Sequence, residues 1–226
     1  MFWFQQGLCI LPLILVISSS TTFIISYVIA VLTHNVDVVL PFISDTANSP
    51  PASCFFGLMT SVSAFAGVLT MYSMYKYMAQ LGVGTGLVSA RCNKAALGLG
   101  LLSCFGMCIV ATFQESAVRK VHLLGALLFF LCGALYVCVE TYISYCSWPY
   151  GASLFICRTR LAISLISIGV FFPTVICKFL EKDTLQKTSA GCEWIVAFSF
   201  IGYFLTYVHD FKQFTLKVQT VCGTGN

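Results

Sequence analysis

The chain has 226 residues, of which 58% are hydrophobic and only 9% charged, against roughly 25% charged in an ordinary soluble domain. Mean hydropathy is +0.91, and the net charge of +4 comes from 12 basic and 8 acidic residues scattered with no dense basic run. These values exclude disorder, argue against a soluble globule and give no footprint for nucleic acid.

In chain order the first apolar stretch, residues 8–33, contains no Lys, Arg, Asp or Glu and is long enough to span a bilayer core of roughly 30 Å. A cleaved signal peptide needs a positive n-region, which residues 1–7 lack, so the stretch reads as an uncleaved first span even though Ser18, Ser19 and Ser20 resemble a small-residue cleavage site. Five further spans follow at about 55–78, 94–113, 122–145, 161–179 and 192–208, before a short tail, 209–226. The expected fold is therefore all-α, a polytopic bundle of six transmembrane helices with short loops forming one membrane domain. An even number of spans puts both termini on one side.

The separators carry their own signals. Asn48-Ser49-Pro50-Pro51 is a helix breaker, residues 82–86 (Gly-Val-Gly-Thr-Gly) form a flexible link, and Ser147-Trp148-Pro149-Tyr150-Gly151 is a turn. Only residues 114–121 separate spans three and four, which makes them antiparallel neighbours. Gly98, Gly100 and Gly106 with Gly125, Ala126 and Gly133 let that pair approach closely. Pro173 is expected to kink span five. Trp3, Trp148 and Trp194 fall near span ends, as interface anchors do.

For orientation, a cytosolic N-terminus places Lys76, Arg91, Lys94, Arg158, Arg160, Lys212 and Lys217 inside and Arg119, Lys120, Lys178, Lys182 and Lys187 outside. The connector after span one holds Asp37 and Asp45 and no Lys or Arg, as a lumenal segment should. Both termini are expected in the cytosol. No Asn-x-Ser/Thr acceptor with an allowed sequence occurs to test this.

Twelve cysteines sit mostly in apolar runs without a Cys-x-x-Cys pair or a Cys/His cluster, so neither disulfide scaffold nor metal site is expected. Cys104 and Cys108, four residues apart, read as packing. Glu140 in span four and Glu193 at the start of span six are acids at membrane depth, each a functional-site candidate by the cost of burying it. Glu193 reads first as an interfacial acid favoured at a helix N-terminus. Glu140 reads equally as a structural hydrogen-bonding group or as a handler of protons or ligand. His34, His122 and His209 lie at span ends, and His209-Asp210 reads as an interfacial cap. No Gly-x-Ser-x-Gly elbow, Walker loop or His-Glu-x-x-His helix is present, so no catalytic residue, cofactor or metal is assigned. Tyr75-Lys76-Tyr77-Met78 matches a tyrosine-based sorting pattern at the expected last turn of span two, and Cys92, Cys157 and Cys222 are candidate palmitoylation sites.

Several segments carry a resemblance. Phe23-Ile24-Ile25-Ser26-Tyr27-Val28, then Leu40-Pro41-Phe42-Ile43-Ser44-Asp45-Thr46 and Pro50-Pro51, resemble the first helix and first loop of the DNA-damage-regulated autophagy modulator family. So do Cys104-Phe105-Gly106-Met107 with the run 109–115, and Cys192-Glu193-Trp194 leading to residues 204–211. The similarity runs nearly end to end and stands nearer the founding member than its paralogue. It implies a non-enzymatic, multi-pass protein of lysosomal and endosomal membranes that promotes autophagy, in some members downstream of the p53 damage response and with effects on cell death (apoptosis). Partners implied are the lipid bilayer and proteins of autophagy or lysosomal trafficking. The chain departs from the family in the Gly-rich link between spans two and three, the connection at 181–189 and the short tail. The family-like loop offers Pro41, Ser44, Asp45 and Thr46, more readily a turn closing helices one and two than a ligand site. Two other classes stay open: a small proton-coupled carrier in the same membrane with Glu140 and Glu193 as coupling groups, and a plasma-membrane scaffold that recruits a lipid kinase.

Overall fold

A computed structural model describes residues 7–179 and 183–212; the expected tail from residue 213, Trp3 and Cys222 lie outside the described residues, as does part of the connection at 181–189. Among the described residues the fold is all-helical. Six long helices, each apolar and long enough to cross a membrane, are α1 (Ile10–Leu32), α2 (Ala52–Thr85), α3 (Ala90–Thr112), α4 (Arg119–Cys146), α5 (Leu154–Phe179) and α6 (Asp183–Phe211). Short 3-10 turns occur at Gly7–Cys9 and Asp45–Ala47.

Each helix packs mainly against its chain neighbours, and α6 returns to α1, closing a ring. The turn at Gly7–Cys9 lies against α6, so the described ends of the chain meet at one end of the bundle, called here the termini end. The opposite, loop end carries residues 33–51 and 113–118. One apolar core runs along the axis, built from Met71, Met74, Tyr136, Val137, Phe200, Tyr203, Tyr207 and their neighbours. The outer faces of the helices expose large apolar side chains such as Ile17, Leu58, Phe65, Phe155 and Leu165, the pattern of a lipid-facing surface.

The seams are built differently. On α1, Ser18, Thr22 and Ser26 recur every four residues and are buried, a small polar stripe in which the Ser18 hydroxyl lies 2.8 Å from that of Ser63 on α2. On the α3–α4 seam a Cβ on Gly106 would lie 2.7 Å from the Gly125 carbonyl oxygen, so only glycine admits that approach. Gly133 and Ser103 continue the seam, the Ser103 hydroxyl donating to the Phe129 carbonyl at 2.9 Å. Gly98 takes no part: a side chain there would meet open space. The α4–α5 seam is the thinnest of those joining consecutive helices.

The helices outrun the apolar stretches that locate them. Most of the Gly-rich segment expected as a flexible link is the last turn of α2, which stops only at Gly86 in a left-handed conformation (φ 71°). Glycine tolerates helix when packing holds it, and Gly82 sits against Val88. Tyr75–Met78 is thus two turns inside α2, with Met78 buried, which removes it as an accessible sorting peptide. α5 starts at Leu154 and takes in Arg158 and Arg160, both expected in a connecting segment. Pro173 lies within α5 and removes the amide that would serve the carbonyl four residues back. Nearby, the Thr174 hydroxyl donates to the Val170 carbonyl at 2.8 Å and Ser189 of α6 donates to the Thr174 carbonyl at 2.8 Å.

Candidate functional site

Three polar stripes converge at the termini end. On α4 they are Glu140, Thr141 and Ser144; on α5, Arg160, Ser164 and Ser167; on α6, Tyr203, Thr206, Tyr207 and Asp210. The spacing of three and four residues puts each set on one helix face. The centre is Arg160, whose side chain is fully buried. Its Nη2 donates to the Asp210 carboxylate, its Nη1 to the Ser144 hydroxyl at 2.8 Å and its Nε to the Thr206 hydroxyl at 2.9 Å. The guanidinium carbon also lies 4.9 Å from the centre of the Tyr207 ring and 5.8 Å from that of Tyr203. A buried ion pair repays its desolvation only when further hydrogen bonds satisfy the remaining donors, and here all three guanidinium nitrogens are engaged. The hydroxyl network continues upward: Thr141 lies 2.8 Å from Ser164 and 3.2 Å from the Tyr203 hydroxyl, and the Tyr136 and Tyr207 hydroxyls are 2.8 Å apart.

Glu140 belongs to this cluster. It is 2% exposed, and Ser144, which accepts from Arg160, donates to the Glu140 backbone carbonyl at 2.8 Å. Its Oε2 is buried with no hydrogen-bond partner among the described residues. The same holds for Oδ1 of Asn93, buried on α3, whose Nδ2 donates to the Tyr75 carbonyl of α2 at 2.9 Å. Two carboxylates face one guanidinium, so the fully ionised cluster carries one surplus negative charge in an apolar bundle. A proton or a small cation at Glu140 is the chemistry that removes it.

Glu193 is at the other end. Buried near the loop, its Oε2 accepts the Ile43 amide at 3.0 Å, and the adjacent Trp194 indole donates to the Pro41 carbonyl at 2.8 Å. Those two bonds dock the loop 33–51 onto α6, with Ile43 buried in a small apolar cluster with Phe56 and Ala197. Within the loop Thr46 donates to the Ile43 carbonyl at 2.7 Å and Asp45 accepts from Asn48 at 3.2 Å, closing a 3-10 turn. Ser44 is buried, and its hydroxyl is without a partner among the described residues. A cavity of about 40 Å³ lined by Ser44, Thr60, His122 and Glu193 has the room and the polar partners for one water molecule. His122 donates from Nδ1 to the Phe113 carbonyl at 2.7 Å and its Nε2 lies 3.7 Å from Glu115, which fixes the α3–α4 connection.

The structure thus joins Glu193 to Pro41, Ser44, Asp45 and Thr46 and keeps Glu140 apart from all of them. Asp210 is no interfacial cap: it is 1% exposed and paired with Arg160, while His209 beside it faces outward. Sequence reading missed Arg160 and Asp210 because each stands at the edge of an apolar run, where charge is ordinary. The signal was available in the polar periodicity of residues 160, 164 and 167 and of 203, 206 and 210. Cys157 is fully buried with its thiol against the Ser144 carbonyl at 3.4 Å, so it is closed to acylation; Cys92 is half-buried. Cys104 is buried and Cys108 exposed, so the pair does not share an environment. Among the described residues no group of three or more His, Cys, Asp or Glu is placed to hold a metal.

Comparison with known proteins agrees with this architecture. Residues 7–214 match the Frag1/DRAM/Sfk1/Cwh43P N-terminal domain family. The chain is 44% identical to human DNA damage-regulated autophagy modulator protein 1 over 97% of its own length and 98% of that protein. It is 40% identical to mouse DNA damage-regulated autophagy modulator protein 2, covering 97% and 89% of the two chains. Zebrafish modulator of macroautophagy TMEM150B is 27% identical, with 96% and 90% covered. No solved structure matches. A six-helix membrane architecture and similarity of this depth along almost the whole chain lead to one conclusion: the protein belongs to the Frag1/DRAM/Sfk1/Cwh43P family, on its autophagy-modulator branch.

Proposed function

We propose that this protein modulates autophagy from the lysosomal membrane, without catalysis, as part of the DNA-damage and cell-death response. The observation that carries the reading is near-full-length identity to proteins named as autophagy modulators, with the first loop and the start of α6 both inside the matched region. In this reading both termini are cytosolic, the polar cluster of Arg160, Asp210 and Glu140 lies toward the cytosol, and the loop docked by Glu193 faces the lumen. Protein partners read the connecting loops. The test is removal of the gene followed by measurement of autophagic flux after DNA damage, together with imaging of the tagged full-length protein beside lysosomal and surface markers. Loss of flux with a lysosomal signal supports the reading. Unchanged flux overturns it, and a purely surface signal favours the kinase-recruiting scaffold instead.

A second reading, a proton-coupled carrier, is favoured by one specific observation: the unpartnered buried Oε2 of Glu140 beside a single ion pair. It predicts that Glu140→Gln abolishes solute flux in proteoliposomes while abundance and location stay intact. Absence of flux in the parent protein removes it.

A further inference from the structure

The α3–α4 seam has a fixed antiparallel register. A Cβ on Gly106 would meet the Gly125 carbonyl, one on Gly133 would lie 3.1 Å from the Ser103 hydroxyl, and one on Gly100 would lie 3.2 Å from the Tyr136 ring. Seven residues back along α3, about two helical turns, Gly100 gives way to Asn93; the same distance forward along α4 turns 133–136 into 140–143. Asn93 therefore stands level with Glu140. Both are buried, 1% and 2% exposed, and the Glu140 charge reaches Cys92, the residue before Asn93.

The two side chains share a deficit. Among the described residues, Ser26, Ser44, Thr60, Asn93 and Glu140 hold buried side-chain oxygens without a hydrogen-bond partner. The first three are hydroxyls, each carrying a proton of its own. Oδ1 of Asn93 and Oε2 of Glu140 are acceptors with none. The Tyr75 carbonyl engages Nδ2 of Asn93, which fixes Oδ1 as the idle end. The hydroxyls nearest along α4 are spent, Ser144 donating to the Glu140 carbonyl and Thr141 to the Val137 carbonyl.

Charge sharpens that deficit. The groups facing Glu140 are Tyr136 on its own helix, Cys92 on α3, Arg160 on α5, and Tyr203, Tyr207 and Asp210 on α6. Arg160 is the cation of this set, and its three guanidinium nitrogens are engaged by Asp210, Ser144 and Thr206. Lys76, Arg91, Lys94, Arg158 and Lys212 are exposed. A water molecule between the two acceptors would donate to both and leave the surplus negative charge in place. A metal ion needs a shell of several oxygens, and two are idle here. One proton supplies the donor and removes the charge.

We propose that Glu140 is a proton-binding site: its carboxyl is protonated at neutral pH, and the Oε2 hydroxyl donates to Oδ1 of Asn93. That bond joins α4 to α3 and, through Nδ2 of Asn93, to the Tyr75 carbonyl of α2, so one proton ties three helices at the termini end. In alkali the proton passes to hydroxide, and the tie is lost. The site is independent of the autophagy reading and needs no movement of solute.

The test is infrared difference spectroscopy of the full-length protein in phosphatidylcholine nanodiscs while the pH is raised from neutral. A carbonyl stretch of a protonated carboxylic acid, equivalent to one acid per chain, is expected at neutral pH and should give way to carboxylate absorption in alkali. Glu140→Gln should remove the band completely, and Glu193→Gln should leave it. Asn93→Leu should shift it to higher frequency, because the acid has lost its acceptor. Absence of the band from the parent at neutral pH overturns the proposal whether or not any variant folds. A band that survives Glu140→Gln, or that does not move in Asn93→Leu, overturns it as well. So does a band that appears at neutral pH only when choline replaces sodium and potassium, since Glu140 would then hold a metal cation instead.

Discussion

Glu193 and Glu140 are buried carboxylates at opposite ends of one bundle, and they are held differently. Glu193 accepts a main-chain amide from a loop 150 residues away and stands beside Trp194, which donates to the Pro41 carbonyl of the same loop. Glu140 shares Ser144 with Arg160, yet its Oε2 has no partner among the described residues, and the guanidinium points to Asp210. An acid with its acceptor filled by a backbone donor has been given a structural task. An acid whose Oε2 is buried without a partner among the described residues has been given no such task by the hydrogen bonds around it. Partners, rather than depth in the membrane, separate the two.

That contrast can be broken most forcefully at Arg160. Arg160→Leu leaves Asp210 as an uncompensated buried charge beside Glu140, and the expected cost is about 3–5 kcal/mol in unfolding measured in detergent micelles. The double variant Arg160→Leu with Asp210→Leu should recover most of it, because removing both charges removes the desolvation penalty. A single variant as stable as the parent would show that the ion pair does not organise the termini end.

At the other end Glu193→Leu strips the acceptor from the Ile43 amide and should cost about 1–3 kcal/mol, with faster amide exchange in the loop 33–51. Glu193→Gln keeps an acceptor oxygen and should retain the loop's protection. Equal loss in both would mean that charge, not the hydrogen bond, docks the loop.

A smaller effect is expected from Trp194→Phe, which loses only the bond to the Pro41 carbonyl, at about 0.5–1.5 kcal/mol. Because both anchors hold one loop, the double variant with Glu193→Leu should fall short of the sum in a double-mutant cycle. Strict additivity would separate the two anchors.

The smallest change in stability belongs to Glu140→Gln. With no partner to lose at Oε2 and a surplus buried charge removed, the substitution should not lower stability. A large loss would place Glu140 among the structural acids with Glu193, and the distinction between them would disappear.

How much of this was legible beforehand differs by feature. The six helices follow from apolar runs interrupted by Asn48-Ser49-Pro50-Pro51 and the turn at 147–151, since a bilayer forces each backbone polar group into a local hydrogen bond and so fixes the helix as the only economical element. The α3–α4 approach was visible in Gly106, Gly125 and Gly133, although Gly98 on the same helix faces open space. Helix ends were less legible. α2 runs on through residues that look like a hinge, because packing of Gly82 on Val88 outweighs the intrinsic cost of glycine in a helix.

Sequence alone determined the class of the molecule, the number of its helices, the neighbour relation of α3 and α4, and Glu140 and Glu193 as the acids to watch. It did so because hydropathy and small-residue spacing act locally along the chain. Tertiary structure alone decided that Arg160 and Asp210, 50 residues apart, form a buried pair, that Glu193 binds the amide of Ile43, and that α4 is sealed toward α3 but open toward α5. Those outcomes depend on which faces of distant helices meet, and a charge at the edge of an apolar run looks the same in sequence whether it ends in water or against a partner on another helix.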